Sequence, residues 1–326
     1  MKETKKLRRG YTTGVHTLFA FCSALSVFVK IRGVVTSYNK KMDNDDLDVT
    51  KGAMIIVTIA SSKESLKLNP FPHQPYIFGR AKLFAGLGVG VVTKDGLKAP
   101  KGFPAINPVP LKEIKRCYEI LGENNEIFIS VSIENGEELA KSTANPKVGV
   151  IGGLSILGSS GFVKPVSNEA FLKSVEAEIR VALAEGFDEV VLTLGNSSFE
   201  LAKKNFNQTQ IIEIGNFIYD SLKISKHLGV KKVILIIGVA KALKVAQGFK
   251  NTHNRFGSID FEVLKEEIKR DFNLEIDIDS TKTLKGILEQ LKTKDLDESL
   301  KKQILKNAKK RIKSWFSELE VDLITP

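Results

Sequence analysis

Cysteine, histidine and tryptophan are scarce in this sequence of 326 residues. Its two cysteines, Cys22 and Cys117, lie far apart in the chain, which argues against a disulfide framework and is typical of a reducing cytosol. The four histidines are scattered and form no ligand cluster, so we expect no metal site. The signatures of a P-loop, a G-x-S-x-G elbow and an H-E-x-x-H helix are also missing. Motifs alone therefore indicate neither a kinase nor a hydrolase nor a metalloenzyme.

A hydrophobic run long enough to span a membrane is also lacking. The apolar segment from Val15 to Val29 follows basic residues, as in a signal peptide, but no A-x-A-like cleavage site follows it. It is shorter than the roughly 20 residues of a spanning helix. Its apolar residues recur at helical spacing, which favours a buried amphipathic helix over an export signal. We therefore expect a cytoplasmic protein with no membrane partner.

Acidic residues are too few to balance the basic ones, 38 against 49, and the net charge is +11. Such a charge attracts nucleic acid, acidic membranes or a small molecule with many carboxylates. The excess is strongest between Ser299 and Ser317, where no acidic residue occurs. Apolar residues recur through the same segment at helical spacing, which favours a helix with a solvated basic face over a nucleic-acid contact.

The first half of the chain is predicted to be rich in strands. Gly86, Gly88 and Gly90 resemble a dinucleotide fingerprint, but a strand and a turn follow them instead of a helix, so we reject a dinucleotide site there. Asn107, Pro108 and Pro110 predict a rigid connector into a helix that begins near Leu111.

The second half shows the alternation of an α/β domain. Ser167 is predicted to cap a helix over residues 168–185, and two strands that are apolar throughout, "DEVVLTLGNSS" and "VKKVILIIGVAKALKVAQG", then alternate with helices. Ligands of such sheets bind beyond the strand ends, here at Gly195, Asn196 and Gly238.

The last 70 residues predict helices and one strand near 273–278. We predict an N-terminal α+β domain over 1–150, followed by a Rossmann-like three-layer α/β domain over 151–326.

Four longer phrases occur in the order of a known family: "LRRGYTTGVHTLFAFCSAL", "GLGVGVVTKDGLKAPKGFPAINPVP", "ISVSIENGEELAKSTANPKVGVIGGLSILGSSGFVKPVS" and "QGFKNTHNRFGSIDFEVL". From about Leu7 to Leu264 the chain resembles the cobalt-precorrin-5B C1-methyltransferase family of anaerobic cobalamin biosynthesis. The resemblance implies methyl transfer from S-adenosylmethionine to C1 of a cobalt tetrapyrrole, with cobalt only as part of the substrate. The many carboxylates of such a substrate account for a basic protein better than nucleic acid does.

The resemblance also implies where the two ligands bind. The tetrapyrrole is expected on the domain over 1–150, and S-adenosylmethionine on the domain over 151–326. Transfer of a methyl group is an in-line displacement that needs alignment rather than a covalent intermediate, which agrees with the missing nucleophile motif. A homo-oligomer is compatible with the sequence.

Each candidate residue has a functional and a structural interpretation. Thr12, Thr13, Gly14 and His16 are assigned to substrate binding; the alternative is that a threonine simply caps the following helix. Asn107 is assigned to substrate, or else only forms a turn with Pro108.

The remaining candidates lie in the second half. Asn251 and Thr252 match a family phrase and are assigned to substrate. His253, in the same phrase, is the candidate general base, or else a capping group. Gly195, Asn196 and Gly238 are assigned to the adenosyl group, or else form tight turns.

Three departures from the family phrases favour an alternative function. Val15-His16 stands where Thr-Cys is expected, Ser197-Ser198 replaces Tyr-Gly, and the phrase from Gly238 to Ala242 lacks a histidine and a glycine. The alternative is a non-catalytic tetrapyrrole-binding protein derived from the same family.

Overall fold

A computed structural model describes residues 8–43, 49–121, 125–158, 161–163, 168–278, 281 and 283–326. They form a mixed α/β protein with two compact units, Met1–Ala177 and Glu178–Pro326. The division lies within a helix over Asn168–Ala184 rather than after residue 150, because short strands between residues 150 and 163 pair with strands of the first unit. Ser167, the predicted cap of that helix, lies outside the described residues.

The first unit combines a five-stranded sheet with several two-residue strands. In chain order its described strands are β1 (Gly10–Tyr11), β2 (Val34–Lys40), β3 (Met54–Ala60), β4 (Tyr76–Phe78), β5 (Ala81–Ala85), β6 (Gly88–Val89), β7 (Val91–Val92), β8 (Ile127–Ile133), β9 (Val150–Ile151), β10 (Gly153–Leu154) and β11 (Phe162–Val163). The large sheet has the order β2-β3-β8-β5-β4, in which only β5 and β8 are parallel. The helices are α1 (Thr13–Ile31), α2 (Pro108–Leu121), α3 (Gly136–Ala140) and α4 (Asn168–Ala184).

Helix α1 forms much of the core of this unit. It packs on β2, β3 and α2, and its inner face buries Phe21, Leu25 and Phe28. Among the described helices it alone is long and apolar enough to cross a membrane, with 44% of the apolar window buried. Core helices of soluble proteins and signal sequences both meet that criterion. The expectation that this segment is too short to span a membrane was therefore wrong by length and composition. The predicted amphipathic helix is present, with one face in the core.

The two cysteines correct one of our expectations. Cys22 of α1 and Cys117 of α2 form a disulfide, with Cα atoms 6.4 Å apart. Their separation of 95 positions in sequence gave no sign of this, since it is the side-by-side packing of α1 and α2 that brings them together. The cysteine count therefore no longer supports a reducing compartment.

The glycine-rich segment over residues 86–92 forms strands, as predicted, and not a dinucleotide loop. The second glycine-rich segment, which we expected to be irregular, contributes the short strands β9 and β10. β6 pairs with β10 in parallel, and β7 pairs with β9 antiparallel. The buried amide of Asn69 joins the two segments by donating to the carbonyl oxygens of Val89 (2.7 Å) and Gly152 (2.9 Å).

Helix α2 begins at Pro108, three residues before the predicted start. Both Pro108 and Pro110 lie in its first turn, where a helix needs no N–H donor. The predicted rigid connector is therefore the first turn of the helix itself.

The second unit is built on a parallel sheet. Its strands are β12 (Glu189–Leu194), β13 (Ile211–Glu213), β14 (Lys232–Ile237) and β15 (Glu320–Ile324), in the order β13-β12-β14-β15. Its further helices are α5 (Asn196–Asn205), α6 (Ile218–His227), α7 (Val239–Ala246), α8 (Phe261–Phe272), α9 (Leu284–Lys292) and α10 (Asp297–Trp315). After their first residues, β12 and β14 are buried at every position, as expected for strands covered on both faces.

Two details of the C-terminal region differ from prediction or extend it. Residues 273–278 form no strand: Ile276 and Ile278 are buried without pairing, so their alternation reflects packing alone. The fourth strand of the sheet is instead β15, which we did not predict. The basic segment is helix α10, and its apolar stripe is buried at Leu300, Ile304, Ala308 and Ile312, in agreement with the solvated-face interpretation.

Candidate functional site

In the first unit, the N-terminal ends of α1 and α2 meet. A Cβ atom on Gly14 would lie 2.5 Å from Cγ of Pro110 and 3.0 Å from the carbonyl oxygen of Leu157. Only glycine allows the two helix starts and the loop at Leu157 to approach so closely. The structure thus brings Thr12, Thr13 and Gly14 next to the start of α2, where Asn107 lies.

The hydroxyl groups of the two threonines are engaged within the protein. Thr12 Oγ1 accepts a hydrogen bond from the Val15 amide (3.4 Å), which is the capping role. Thr13 is buried; its Oγ1 accepts from the Leu157 amide (2.8 Å) and donates to the Leu157 carbonyl (3.2 Å). The pair therefore fixes the loop against the helix start.

Asn107 differs from the threonines because its side chain is unengaged. Its main chain is held, with N donating to Ile156 O (3.0 Å) and O accepting from Leu111 N (3.2 Å). Its half-buried side-chain amide forms no hydrogen bond to any residue that the structure describes. This amide can therefore bond to a ligand at the start of α2.

His16 connects α1 to the end of β2. Its Nε2 accepts a hydrogen bond from the Met42 amide (3.3 Å), which leaves Nδ1 as the donor to Oδ1 of Asn39. Burial lowers the pKa of His16; the bond to Asn39 opposes the shift, and the charge of Lys41 adds to it. His16 is thus a neutral, buried group that positions the chain after β2.

An exposed aromatic cluster, consisting of Tyr11, Phe19 and Phe162, adjoins His16. The Tyr11 ring lies 5.3 Å from that of Phe162 and 6.2 Å from those of Phe19 and His16. Phe19 and Phe162 are 49% and 54% exposed. Sequence reasoning assigned no role to these rings. The Phe19 ring lies edge-on to that of Tyr11, and the Phe162 ring is tilted against it, so the cluster presents both ring faces and ring edges.

An open basic depression of about 420 Å³, called the basic cavity below, lies beyond His16. Its described lining is Lys40, Lys41, Met42, Asp43, Lys51 and Gly52. Asp43 forms an exposed ion pair with Arg8 (3.1 Å), so the cavity and the segment before β1 are joined. The lysines make the cavity a candidate for a carboxylate.

In the second unit, the strand order places a crevice between β12 and β14. β13 pairs with one edge of β12 and β14 pairs with the other edge, so the chain reverses its direction across the sheet at this point. The gap between β12 and β14 is therefore a topological switch point. Gly195 and Asn196 follow β12, and Gly238 follows β14. All three predicted residues therefore lie at the carboxyl edge, on both sides of the crevice.

The space above these strand ends is open. Gly195 adopts φ 90°, which favours glycine, and begins α5; Gly238 has φ −65° and begins α7. A Cβ atom on Gly238 would have no neighbour within 4 Å. Asn196 is exposed, and its side chain forms no hydrogen bond to a described residue.

The loop over Asn251, Thr252 and His253 is held at the same edge of the sheet. Thr252 Oγ1 donates to Oδ1 of Asn216 (2.9 Å), and Thr252 N donates to Asn216 O (3.1 Å). Asn216 follows β13, so the loop over residues 251–253, which follows α7 in the chain, is held against the loop that follows β13. Asn251 Oδ1 accepts from His253 N (2.9 Å) and shapes the turn.

His253 has a capping role in the structure. Its Nδ1 accepts from the Arg255 amide (3.1 Å) at the start of a short 3-10 turn, and the side chain is exposed. With Nδ1 accepting, Nε2 of the neutral ring carries the proton. The capping alternative is thus observed, while a role as general base remains a prediction.

Two lysines on α7 were not among the predicted site residues. Lys244 is buried, and its Nζ donates to Thr252 O (3.2 Å), Asn254 Oδ1 (2.8 Å) and Gly257 O (2.9 Å). Lys241 lies one turn earlier, at the crevice. Helical periodicity could have shown that the two share a face, but not that only one of them is hydrogen-bonded.

No group of three or more His, Cys, Asp or Glu side chains that could hold a metal ion occurs in the described ranges.

Comparison with known proteins identifies the family. The CbiD family profile matches residues 28–165. A protein of Thermoanaerobacter sp. strain X514, named cobalt-precorrin-5B C(1)-methyltransferase, is 31% identical, and the alignment covers 100% of this chain and 94% of that protein. The chain belongs to the CbiD family.

Other CbiD relatives match over part of their length. The protein of the same name from Methanocaldococcus jannaschii is 38% identical over 67% of this chain and 58% of its own length. A Geobacillus relative of that name is 36% identical over 80% of this chain and 77% of its own. The alignments with M. jannaschii and two Methanococcus relatives span 58–60% of those proteins.

A crystal structure of the cobalamin biosynthesis protein CbiD from Archaeoglobus fulgidus also matches. It is 24% identical, with a TM-score of 0.36, over 70% of this chain and 76% of that one.

Proposed function

We propose that this protein transfers a methyl group from S-adenosylmethionine to C1 of cobalt-precorrin-5B in cobalamin biosynthesis. The observation that carries the proposal is the relative of that name, whose alignment covers this whole chain and 94% of the relative. The enzyme is then a C-methyltransferase that acts on a cobalt tetrapyrrole, and the cobalt enters as part of the substrate.

The first unit is proposed to hold the tetrapyrrole. The exposed rings of Phe19 and Phe162, beside the half-buried Tyr11, can contact a flat macrocycle through a ring face or a ring edge, since offset and edge-to-face contacts of π systems are both favourable. The basic cavity at Lys40, Lys41 and Lys51 can receive one of its carboxylate arms. The roles of Thr12, Thr13, Gly14 and His16 are then to shape this surface, whereas Asn107 offers an amide directly.

The second unit is proposed to be a Rossmann-like three-layer domain that holds S-adenosylmethionine. Its parallel sheet has a switch point between β12 and β14, with open space above Gly238 and an unengaged side chain at Asn196. The residues present fit the methyl donor at this edge. Thr252 and Asn251 fix the adjacent loop, which keeps His253 at the rim.

When bound, the methyl donor supplies an electrophilic methyl group on a sulfonium. The task of the protein is to hold that carbon about 3–3.5 Å from the ring carbon and in line with it. The apolar rings of the aromatic cluster would exclude water from the part of the tetrapyrrole that they contact. The proposed role of His253 is to accept a ring proton at Nε2. The neutral ring must then carry its hydrogen on Nδ1, so the hydrogen bond from the Arg255 amide is released in that tautomer.

The deciding experiment is incubation of the purified protein with cobalt-precorrin-5B and S-adenosylmethionine labelled in its methyl group, under anaerobic conditions. The label is expected at C1 of the product. Absence of transfer by a folded protein that binds both compounds would contradict the proposal.

The alternative is a tetrapyrrole-binding protein without catalysis. The altered Ser197-Ser198 and Val239 positions favour it, because they lie at the proposed donor crevice. The two functions differ in donor binding: an enzyme shows a melting temperature that rises with S-adenosylmethionine concentration, and a carrier responds to the tetrapyrrole alone.

We further propose a cytoplasmic location and no nucleic-acid or membrane partner, as suits a biosynthetic family with a small-molecule substrate. Cell fractionation tests the location, and the salt dependence of RNA association tests the basic face of α10. Light scattering tests whether the protein is a homo-oligomer.

A further inference from the structure

Lys241 reaches across the crevice between β12 and β14. It lies in the first turn of α7, which follows β14, yet its Nζ lies 3.9 Å from the point where a Cβ atom would sit on Gly195, after β12. Its ammonium group therefore lies over the carboxyl edge of the sheet at the switch point.

This lysine is half-buried and has no partner within the part of the chain that the structure describes. It forms no hydrogen bond or ion pair with any residue that the structure describes, whereas Lys244, three residues later, donates to three oxygen atoms. Burial, and secondly the charge of Lys244, lowers the pKa of Lys241. The surroundings thus disfavour the cation as they stand, and an anion beside it would reverse that balance.

The electrostatics of the crevice favour an anion. Two lysines lie on one side of α7, and the first turns of α5 and α7 direct unpaired N–H groups and positive dipole ends towards the same edge. An ion held there would be stabilised by each of these charges.

We propose that Lys241 binds the carboxylate of the methionine part of S-adenosylmethionine, and thereby orients the donor in the crevice. This inference rests on the proposed function. The carboxylate is the donor's one anionic group, and its sulfonium is a cation that must lie away from the lysine. Lys241 would therefore fix which end of the donor points towards α7 and is a positioning residue, not a catalytic one.

The test compares two ligands that differ only in this group. Titration calorimetry measures the affinity of wild-type and Lys241→Met proteins for S-adenosylmethionine and for decarboxylated S-adenosylmethionine. The substitution is expected to weaken binding of the first roughly tenfold to a hundredfold, as for a lost charge-assisted bond. Binding of the decarboxylated donor is expected to change by less than about threefold, because this donor has no carboxylate and so makes no contact with Lys241 that the substitution could remove. Lys241→Arg should recover part of the affinity.

Lys204→Met is the matched control, because Lys204 is an exposed lysine at the far end of α5 and should leave both affinities unchanged. Equal losses for the two donors, or no loss for either, would overturn the inference while leaving the proposed function intact. Weaker tetrapyrrole binding with unchanged donor binding would overturn it in favour of a substrate carboxylate. If the wild-type protein binds neither donor, both the inference and the proposed function fail.

Discussion

The start of α1 and the carboxyl edge of the second sheet both contain predicted site residues, but their polar atoms are engaged differently. At the start of α1, the hydroxyls of Thr12 and Thr13 and both ring nitrogens of His16 bond within the protein. At the sheet edge, Asn196 and Lys241 have no partner among the described residues. Polar groups that are already hydrogen-bonded fix the local structure, whereas polar groups without a partner can bind a ligand. Predicted site residues at the ends of helices and strands therefore serve two different purposes.

The comparison is sharpest for the two lysines of α7. Lys244→Met should lower the free energy of unfolding by about 3 kcal/mol, because three acceptors lose a charged donor in a buried site. Lys241→Met should leave stability unchanged or slightly raised, since it removes a partly buried charge without a partner. Urea denaturation measures both. Equal destabilisation by the two substitutions would show that Lys241 is structural.

A second contrast concerns the glycines at the two sites. Gly14→Ala should cost about 2 kcal/mol, because the new methyl group would overlap Pro110 and Leu157. Gly238→Ala should be neutral or stabilise by about 0.4–1 kcal/mol, because its φ of −65° suits alanine and the space is open. Melting temperatures test this pair; a stable Gly14→Ala protein would mean that the helix starts are not closely packed.

Substitutions of the two threonines should also differ in how much they lower the free energy of unfolding, but by less than the glycine substitutions do. Thr13→Val should cost about 1–2 kcal/mol, because the Leu157 amide loses its acceptor and the Leu157 carbonyl keeps only the Gly14 amide as donor. Thr12→Val should cost about 1 kcal/mol, as for the loss of a helix cap. Chemical denaturation of both variants measures the difference. A larger loss of stability for Thr12→Val than for Thr13→Val would show that the helix cap contributes more than the contact with the Leu157 loop.

The smallest expected effect is a pH dependence from His16. Its pKa is lowered in the folded state, so the unfolded chain binds more protons as pH falls through 6.5. Stability is therefore complete above pH 6.5 and declines below it, towards the lowered pKa. His16→Asn should flatten this decline, whereas His227→Asn, at an exposed position on α6, should retain it. A decline of the same size in His16→Asn would assign it to other groups.

Periodicity and turn residues were enough to predict α1, the buried strands and the loops that follow them. That Gly195 and Gly238 follow the carboxyl ends of parallel strands was predicted from the alternating apolar runs, whereas the strand order that places them on both sides of one crevice is seen only in the structure. The disulfide between Cys22 and Cys117 could not be predicted, because it depends on which helices pack together.

The difference between Lys241 and Lys244 was also beyond the sequence. In the sequence, Lys241 and Lys244 are both cations on one face of an amphipathic helix. Only the position of the loop over 252–257, which follows α7, shows that Lys244 has hydrogen-bond acceptors there. The residues 273–278 show the converse: an alternating pattern predicted a strand, but no neighbouring strand lies beside it to pair with.

Amide hydrogen exchange with and without S-adenosylhomocysteine, the demethylated product of the donor, tests most directly where the donor binds. We expect slower exchange in peptides that cover residues 195–199 and 238–242, with no comparable change over residues 11–16. Slower exchange over residues 11–16, with none at the two strand ends, would contradict the assignment of the donor to the second unit.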